Sequence, residues 1–197
     1  MADPLLGLPV GLALSTAAGL RVFVPLLLTG VAARLGYLRL ASGMGWIESD
    51  AALVAFATAT ILEIGAYYVP WLDNALDAVA TPAAITAGVI ATAAVTPELP
   101  PLVRWTLALL AGGGAAGLVH AGTALVRLKS SALTVGVGNP VVATGELAGA
   151  LLLSALAVLA PLLALALVVA ALLVVARRLV RRAGGPRKGR NFPVPRP

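Results

Sequence analysis

The sequence predicts an all-α, polytopic transmembrane helical bundle of about five to six membrane segments, two of them broken or re-entrant. Three observations predict it. Of 197 residues, 60% are apolar and only 11% are charged, whereas a soluble domain carries about 25% charged residues. A soluble chain so composed could not cover its surface with polar groups, and a lipid-facing one has no need to. Several apolar runs reach the ~20 residues that cross a hydrocarbon core of roughly 30 Å as a helix. The formal charge of +6 is gathered at one end, where Arg177, Arg178, Arg181, Arg182, Arg187, Lys188, Arg190 and Arg196 follow the last apolar run without an acid. Basic residues beside a span are retained inside. Residues 177–197 are therefore expected as a basic, disordered cytoplasmic tail behind a single transmembrane domain, residues 1–176, in the bacterial cytoplasmic (inner) membrane.

The first apolar run covers residues 5–35 and is interrupted by Gly19-Leu20-Arg21 and by Pro25. No basic region precedes it, so the segment is expected to be retained rather than cleaved as a signal peptide. A loop with Arg34, Arg39, Gly43, Gly45, Glu48 and Asp50 leads to the second run, residues 51–72. That run contains Glu63 and ends in Tyr67-Tyr68-Val69-Pro70-Trp71, whose aromatic rings suit a membrane interface. Residues 73–77, with Asp73 and Asp77, read as a short acidic connection into the third run, residues 78–96. Pro97, Pro100 and Pro101 then stop regular helix, because proline donates no backbone hydrogen bond. The fourth run spans residues 102–126. Residues 130–146 are less apolar and rich in glycine, and residues 147–176 form the longest run, with Pro161 inside it.

Each half of the chain carries an apolar segment broken by glycine, a polar residue and proline. In the first half these are Gly19, Arg21 and Pro25, and in the second Gly138-Asn139-Pro140. Interrupted segments in matching positions of two halves point to a transporter-like site between inverted repeats related by pseudo-symmetry. Topology adds to this. Simple counting sets Arg127 and Lys129 on the side of the N-terminus, which is outside if Arg34 and Arg39 are cytoplasmic; one re-entrant hairpin removes the conflict. Irregular backbone at membrane depth is tolerated only where protein or water covers it, so the two breaks are expected to face each other or a cavity.

Arg21 is the most informative residue, because a charge in the middle of an apolar run costs about 2.5 to 3.5 kcal/mol on insertion scales. It reads as an anion or headgroup contact or a gating ion pair. It reads equally as a structural arginine paired with Glu63 or Glu146, or capping the carbonyls of a broken helix. Ser15 and Gly19 before it are small enough to let a ligand or another backbone approach. Around Gly138, Asn139 and Pro140, glycine and proline free backbone groups that bind ions at half-helix ends; Asn139 as a plain helix cap is the alternative. Glu63 lies deep in the second run, with Tyr67 one turn on as a hydrogen-bond partner. Gly113, Gly117 and His120 share a face that permits close helix packing in lipid, within the chain or in a homodimer.

Other chemistries are not expected. The chain has no cysteine and one histidine, which removes disulfides, thiol catalysis and the usual zinc sites. No hydrolase motif, phosphate loop or dinucleotide fingerprint is present, so neither an enzyme nor a cofactor is predicted. The basic tail lacks the interleaved aromatics and fold of a nucleic-acid binder and reads as a topology anchor touching anionic headgroups.

The chain resembles a bacterial membrane family catalogued as domain of unknown function 4126, over nearly its whole length up to the basic tail. The resemblance rests on Leu14-Ser15-Thr16-Ala17-Ala18-Gly19-Leu20-Arg21 with Pro25; on Glu63 with Pro70, Asp73 and Asp77; on Pro82 with Gly88; and on Gly138-Asn139-Pro140-Val141-Val142 with Glu146. It departs from the family pattern where an acid and a lysine give way to Tyr67 and Tyr68, and where a second acid gives way to Leu147. The resemblance implies a membrane protein and no activity.

Together these readings predict a small transporter or channel for a small or anionic solute. Ser15, Gly19, Arg21, Glu63, Gly138, Asn139 and Glu146 would line a midplane site between structural breaks at Pro25 and Pro140, with Glu63 and Glu146 balancing charge or carrying a coupling proton. A lipid translocase or scramblase, with Arg21 meeting a phosphate headgroup, and a structural assembly protein are the alternatives.

Overall fold

The computed structural model describes residues 6–68, 70–96 and 99–183, with the backbone alone at 70–78, 179, 182 and 183. The described residues are helical almost throughout and include no strand. The tail beyond residue 183 lies outside them.

The first apolar run folds as α1 (Gly7–Leu20) and α2 (Phe23–Arg34). The break between them is Arg21, whose backbone is extended at φ −146° and ψ 124°. Pro25 is not the break. It stands in the first turn of α2, where its missing N–H is not needed by the helix. A loop that turns through left-handed glycines at Gly36 (φ 79°) and Gly43 (φ 82°) then carries the 3₁₀ turn Gly45–Glu48. It leads to α3 (Asp50–Ala66), where the Ser49 hydroxyl accepts from Ala52 N–H at 3.2 Å as an N-cap. α4 (Pro70–Ala94) starts earlier than the hydropathy indicates. Asp73 and Asp77 therefore belong to its first turns rather than to a connection, and their side chains lie outside the described residues.

α5 (Pro101–Leu107), a π-helical turn (Ala108–Gly113) and α6 (Gly114–Thr134) form one continuous rod of 34 residues. Helix thus continues well beyond residue 126, through a stretch that composition alone sets apart. α7 (Asn139–Leu159) and α8 (Pro161–Ala183) divide the longest apolar run at Ala160, because Pro161 cannot donate into the preceding helix. Pro140, like Pro25, sits in a first helical turn. Its break is an end-to-end turn between α6 and α7, made by Val135 (φ 54°) and Gly136 (φ 85°) in left-handed conformation.

α1 is the centre of the fold, packed against α4, α6, α7 and α8. It is held by small residues at every fourth position. A Cβ on Gly7 would stand 2.5 Å from Val95 O, one on Gly11 3.1 Å from Thr92 Cα, and one on Gly19 2.5 Å from Ala116 O. Ser15 donates to Gly88 O at 2.8 Å and lies 2.6 Å from Thr92 Oγ1. This is the small-residue interface that lets helices approach closely in lipid. It also fixes direction: residues 7, 11 and 15 meet 95, 92 and 88, so α1 runs antiparallel to α4. The loop after α2 returns to the same end of α4, where Ala41 N–H donates to Ala94 O at 2.7 Å. α1 and α2 therefore begin and finish beside one end of α4, with Arg21 at the turn between them.

The outward faces are apolar. Val54, Ile61 and Leu62 of α3 are exposed, and Glu63 is the one buried residue of that helix. A helix with its acid inside and its branched apolar residues outside reverses the pattern that water selects. Pro101–Thr134, Asn139–Leu159 and Pro161–Arg178 are long and apolar enough to cross a membrane.

Candidate functional site

The break after α1 delivers Arg21 into the interior. The two largest fully buried side chains are arginines, Arg21 at 1% and Arg127 at 2% exposure. Arg21 comes from the α1–α2 turn and Arg127 from α6, two turns before its end at Thr134. They converge on one carboxylate, that of Glu146 on α7. Arg21 Nη2 lies 3.7 Å from Glu146 Oε2, and Arg127 Nε lies 3.3 Å from Oε1. Both separations exceed the about 2.7–2.9 Å of a charge-assisted N–H···O bond. The tighter contact of Arg21 is to a carbonyl: Nη2 donates to Ala143 O at 2.7 Å. Arg21 Nε and Nη1 have no hydrogen-bond partner among the described residues, although both are buried.

Tyr67 completes this group from the end of α3. The Arg21 guanidinium carbon lies 4.0 Å from the centre of its ring and that of Arg127 lies 4.7 Å away. A ring face attracts a cation by about 0.5–1 kcal/mol when exposed and ~2 kcal/mol when desolvated. Tyr67 thus steadies two like charges without adding a negative one. Outside it, the Tyr68 hydroxyl is 2.9 Å from Thr144 Oγ1, an exposed bond joining α3 to α7. Its two residues directly follow Tyr67 and Ala143, which both touch Arg21.

Glu63 has a different task. Its Oε1 accepts from Val22 N–H at 2.8 Å and its Oε2 from Phe23 N–H at 3.2 Å. These amides open α2 and have no intrahelical partner, so a side chain of α3 caps α2 and its charge meets the positive end of the helix dipole.

Among the described residues, Arg21, Arg127, Glu63 and Glu146 are the charged side chains gathered here, and Arg104, also buried, donates to Ser42 O at 3.4 Å instead. Removing one partner of such a buried pair typically costs about 3–5 kcal/mol.

The other predicted site residues stand elsewhere. Ser15 and Gly19 pack α1 against α4 and α6. Gly138 donates its N–H to Thr134 Oγ1 at 2.9 Å, and a Cβ there would lie 2.6 Å from Ser130 Oγ. Asn139 Nδ2 donates to Ser131 Oγ at 2.9 Å and ties the start of α7 to the end of α6. The two breaks do not meet each other. Arg21 meets α7 one and two turns past Pro140, at Ala143 and Glu146. Gly113 and Gly117 pack on Ile85, and His120 is buried on the same helix. Arg127 and Tyr67 are the members that sequence reasoning missed. The signal for Arg127 was a single charge flanked by Leu125, Val126 and Leu128.

Apolar faces turned outward around a buried charge cluster define a helical protein of the membrane class. The sequence model of the family described as Domain of unknown function (DUF4126) matches residues 8–182, and the chain belongs to that family. No curated protein and no solved structure matches it.

Proposed function

We propose that the protein is a multi-pass transporter of small oxyanions in the bacterial cytoplasmic membrane, with Arg21 and Arg127 as the ligand-binding cations. The observation that carries this reading is the pair of buried arginines at one carboxylate, with two buried donor nitrogens of Arg21 that have no hydrogen-bond partner among the described residues. Planar guanidinium donors suit carboxylate and phosphate oxygens. Intramembrane charges of this kind mark substrate pathways.

The α1–α2 unit acts as a re-entrant hairpin in this reading, entering from the face of Ala94 and turning at Arg21. α3, α4, the α5–α6 rod, α7 and α8 then make five crossings. Arg127, Lys129 and the Arg177 end of α8 fall on one side, which the positive-inside rule makes cytoplasmic. Arg34 and Arg39 fall on the opposite side, so a hairpin at this position leaves the topological conflict noted in the sequence in place. The site lies about 10 Å in from the α6–α7 turn, two helical turns at 1.5 Å per residue, and the Tyr68–Thr144 bond is its outer gate.

A lipid translocase is the second reading. It is favoured by that same gate, which is exposed between α3 and α7 on a laterally apolar surface and would admit a phosphate headgroup. Both readings are tested in proteoliposomes with radiolabelled sulfate and a fluorescent phosphatidylglycerol. The wild-type chain is expected to carry sulfate, and Arg21→Ala to abolish flux in protein that still elutes as a folded species. Arg127→Lys, which keeps the charge and loses the fork of donors, is expected to lose most of it. Equal flux in all three proteins refutes the assignment, and lipid movement without sulfate movement selects the headgroup reading.

A further inference from the structure

One buried cation stands apart from the group around Arg21. Arg104 of α5 keeps 9% of its surface. Its bond to Ser42 O, at 3.4 Å, is at the long limit of a hydrogen bond. Its Nε is buried and has no hydrogen-bond partner among the described residues. Its guanidinium carbon lies 5.8 Å from the centre of the Trp105 ring, near the outer limit of a cation–π contact. Taking a guanidinium out of water with so few bonds is costly, and an anion at its donors would offset that cost.

The place of Arg104 in the fold points to the anion. Its partner Ser42 belongs to the loop after α2, which also bonds the end of α4 through Ala41 N–H and Ala94 O. Exposed aromatic rings gather at that end of the bundle: Tyr37 and Trp46 of the loop and Trp105 of α5. Such rings mark the headgroup level of a membrane. Arg39 of the same loop is a second, exposed cation. On the rod itself Leu102, Trp105 and Leu109 are exposed at spacings that share one helical face, an apolar strip leading inward from the ring of aromatics. Arg104 and Arg127 are 23 residues apart on the rod, about 35 Å at 1.5 Å per residue. The two arginines thus stand a hydrocarbon core apart.

We propose that Arg104 holds the headgroup of a resident anionic phospholipid from the leaflet at this end. The guanidinium binds the phosphodiester oxygens, as its donors suit, and the acyl chains lie along Leu102, Trp105 and Leu109. The long bond to the exposed Ser42 is the contact that the phosphate displaces. Basic pockets between membrane helices take headgroups in this way. Inorganic phosphate offers the same oxygens, but the aromatic ring level and the apolar strip fit a lipid. The site is separate from the transport reading and uses none of its residues.

Phosphatidylglycerol is the probe, added to the full-length chain in an uncharged maltoside detergent. Diacylglycerol with the same acyl chains and inorganic phosphate serve as its two halves. Native mass spectrometry measures the lipid retained, and hydrogen exchange locates it. Wild type is expected to hold phosphatidylglycerol at least about tenfold more tightly than diacylglycerol, the effect of hydrogen bonds to a charged group. Exchange should slow in residues 39–46 and 101–107. Arg104→Ala should weaken phosphatidylglycerol by about tenfold or more and leave diacylglycerol as it was, and Arg104→Lys should recover part of the loss. Equal retention of the two lipids by wild type overturns the proposal, as does unchanged phosphatidylglycerol affinity in folded Arg104→Ala. Protection confined to other segments, such as residues 140–146 beside Arg21, overturns it as well, and that result is read on wild type whether or not a variant folds. The same protection by inorganic phosphate alone at equal concentration identifies a free-anion site and overturns the lipid.

Discussion

Removing the carboxylate of Glu63 should destabilise the protein by a predictable amount. In Glu63→Ala the amides of Val22 and Phe23 lose their acceptor while remaining at the buried start of α2. Each unsatisfied buried N–H costs about 1–3 kcal/mol, and the loss of a negative charge from a helix N-terminus adds about 0.3–2 kcal/mol. The sum is roughly 2–8 kcal/mol, with about 5 kcal/mol as the central value. At about 2–4 °C per kcal/mol for a chain of this size, the unfolding midpoint should fall by about 10–20 °C. Intrinsic fluorescence of the three tryptophans during a thermal ramp in detergent reads this directly. Glu63→Gln offers one carbonyl oxygen to two amides and should fall between the variant and the wild type. A midpoint for Glu63→Ala within about 1 °C of wild type would show that α2 does not depend on this cap.

Other substitutions probe the packing and the gate. Gly88→Leu must place its Cβ near 2.6 Å from Ala116 Cβ and 2.7 Å from Gly112 O, and overpacking of this kind costs about 1–3 kcal/mol or more; a lowered thermal midpoint is expected, and an unchanged one would mean that the α4–α6 crossing is looser than described. Val135→Gly relieves a β-branched residue at φ 54° that is 95% exposed and has little packing to lose, so a gain of about 1 kcal/mol is expected. No gain there would place the strain elsewhere in the turn. Tyr68→Phe removes the exposed bond to Thr144. In a chain without natural cysteine, an Ala143→Cys reporter should then react several times faster with a membrane-impermeant maleimide, and an equal rate would rule out the gate.

Hydropathy made the helical, lipid-facing character legible, because apolar runs of spanning length have few other uses. It placed helix ends less well. Asp73 and Asp77 looked like a turn because charges usually mark one, yet Pro70 starts a helix there and the acids ride in its first turns. Residues 127–134 looked like a connection because Arg127, Lys129, Ser130 and Ser131 lower the hydropathy, yet nothing in that stretch breaks a helix. Arg21, Glu63 and Glu146 were visible as isolated charges in apolar surroundings. Which carboxylate each arginine would meet was not, since spacing along one helix says nothing of the partner on another. Ser15 and Gly19 stood out for their small size, and size served helix contact. The four-residue repeat of Gly7, Gly11, Ser15 and Gly19 is the signal that could have identified that role.

The dependence of α2 on Glu63 bears on how the protein is made. Val22 and Phe23 emerge from the ribosome some forty residues before Glu63, and Arg21 emerges more than a hundred before Arg127 and Glu146. The hairpin synthesised first thus has its polar groups satisfied last. Until α3 is inserted the turn at Arg21 holds two open amides and an unbalanced cation, a combination that lipid rejects. The hairpin is therefore expected to wait at the membrane surface or beside the insertion machinery, and to enter as α3, then α6 and α7, bring its partners.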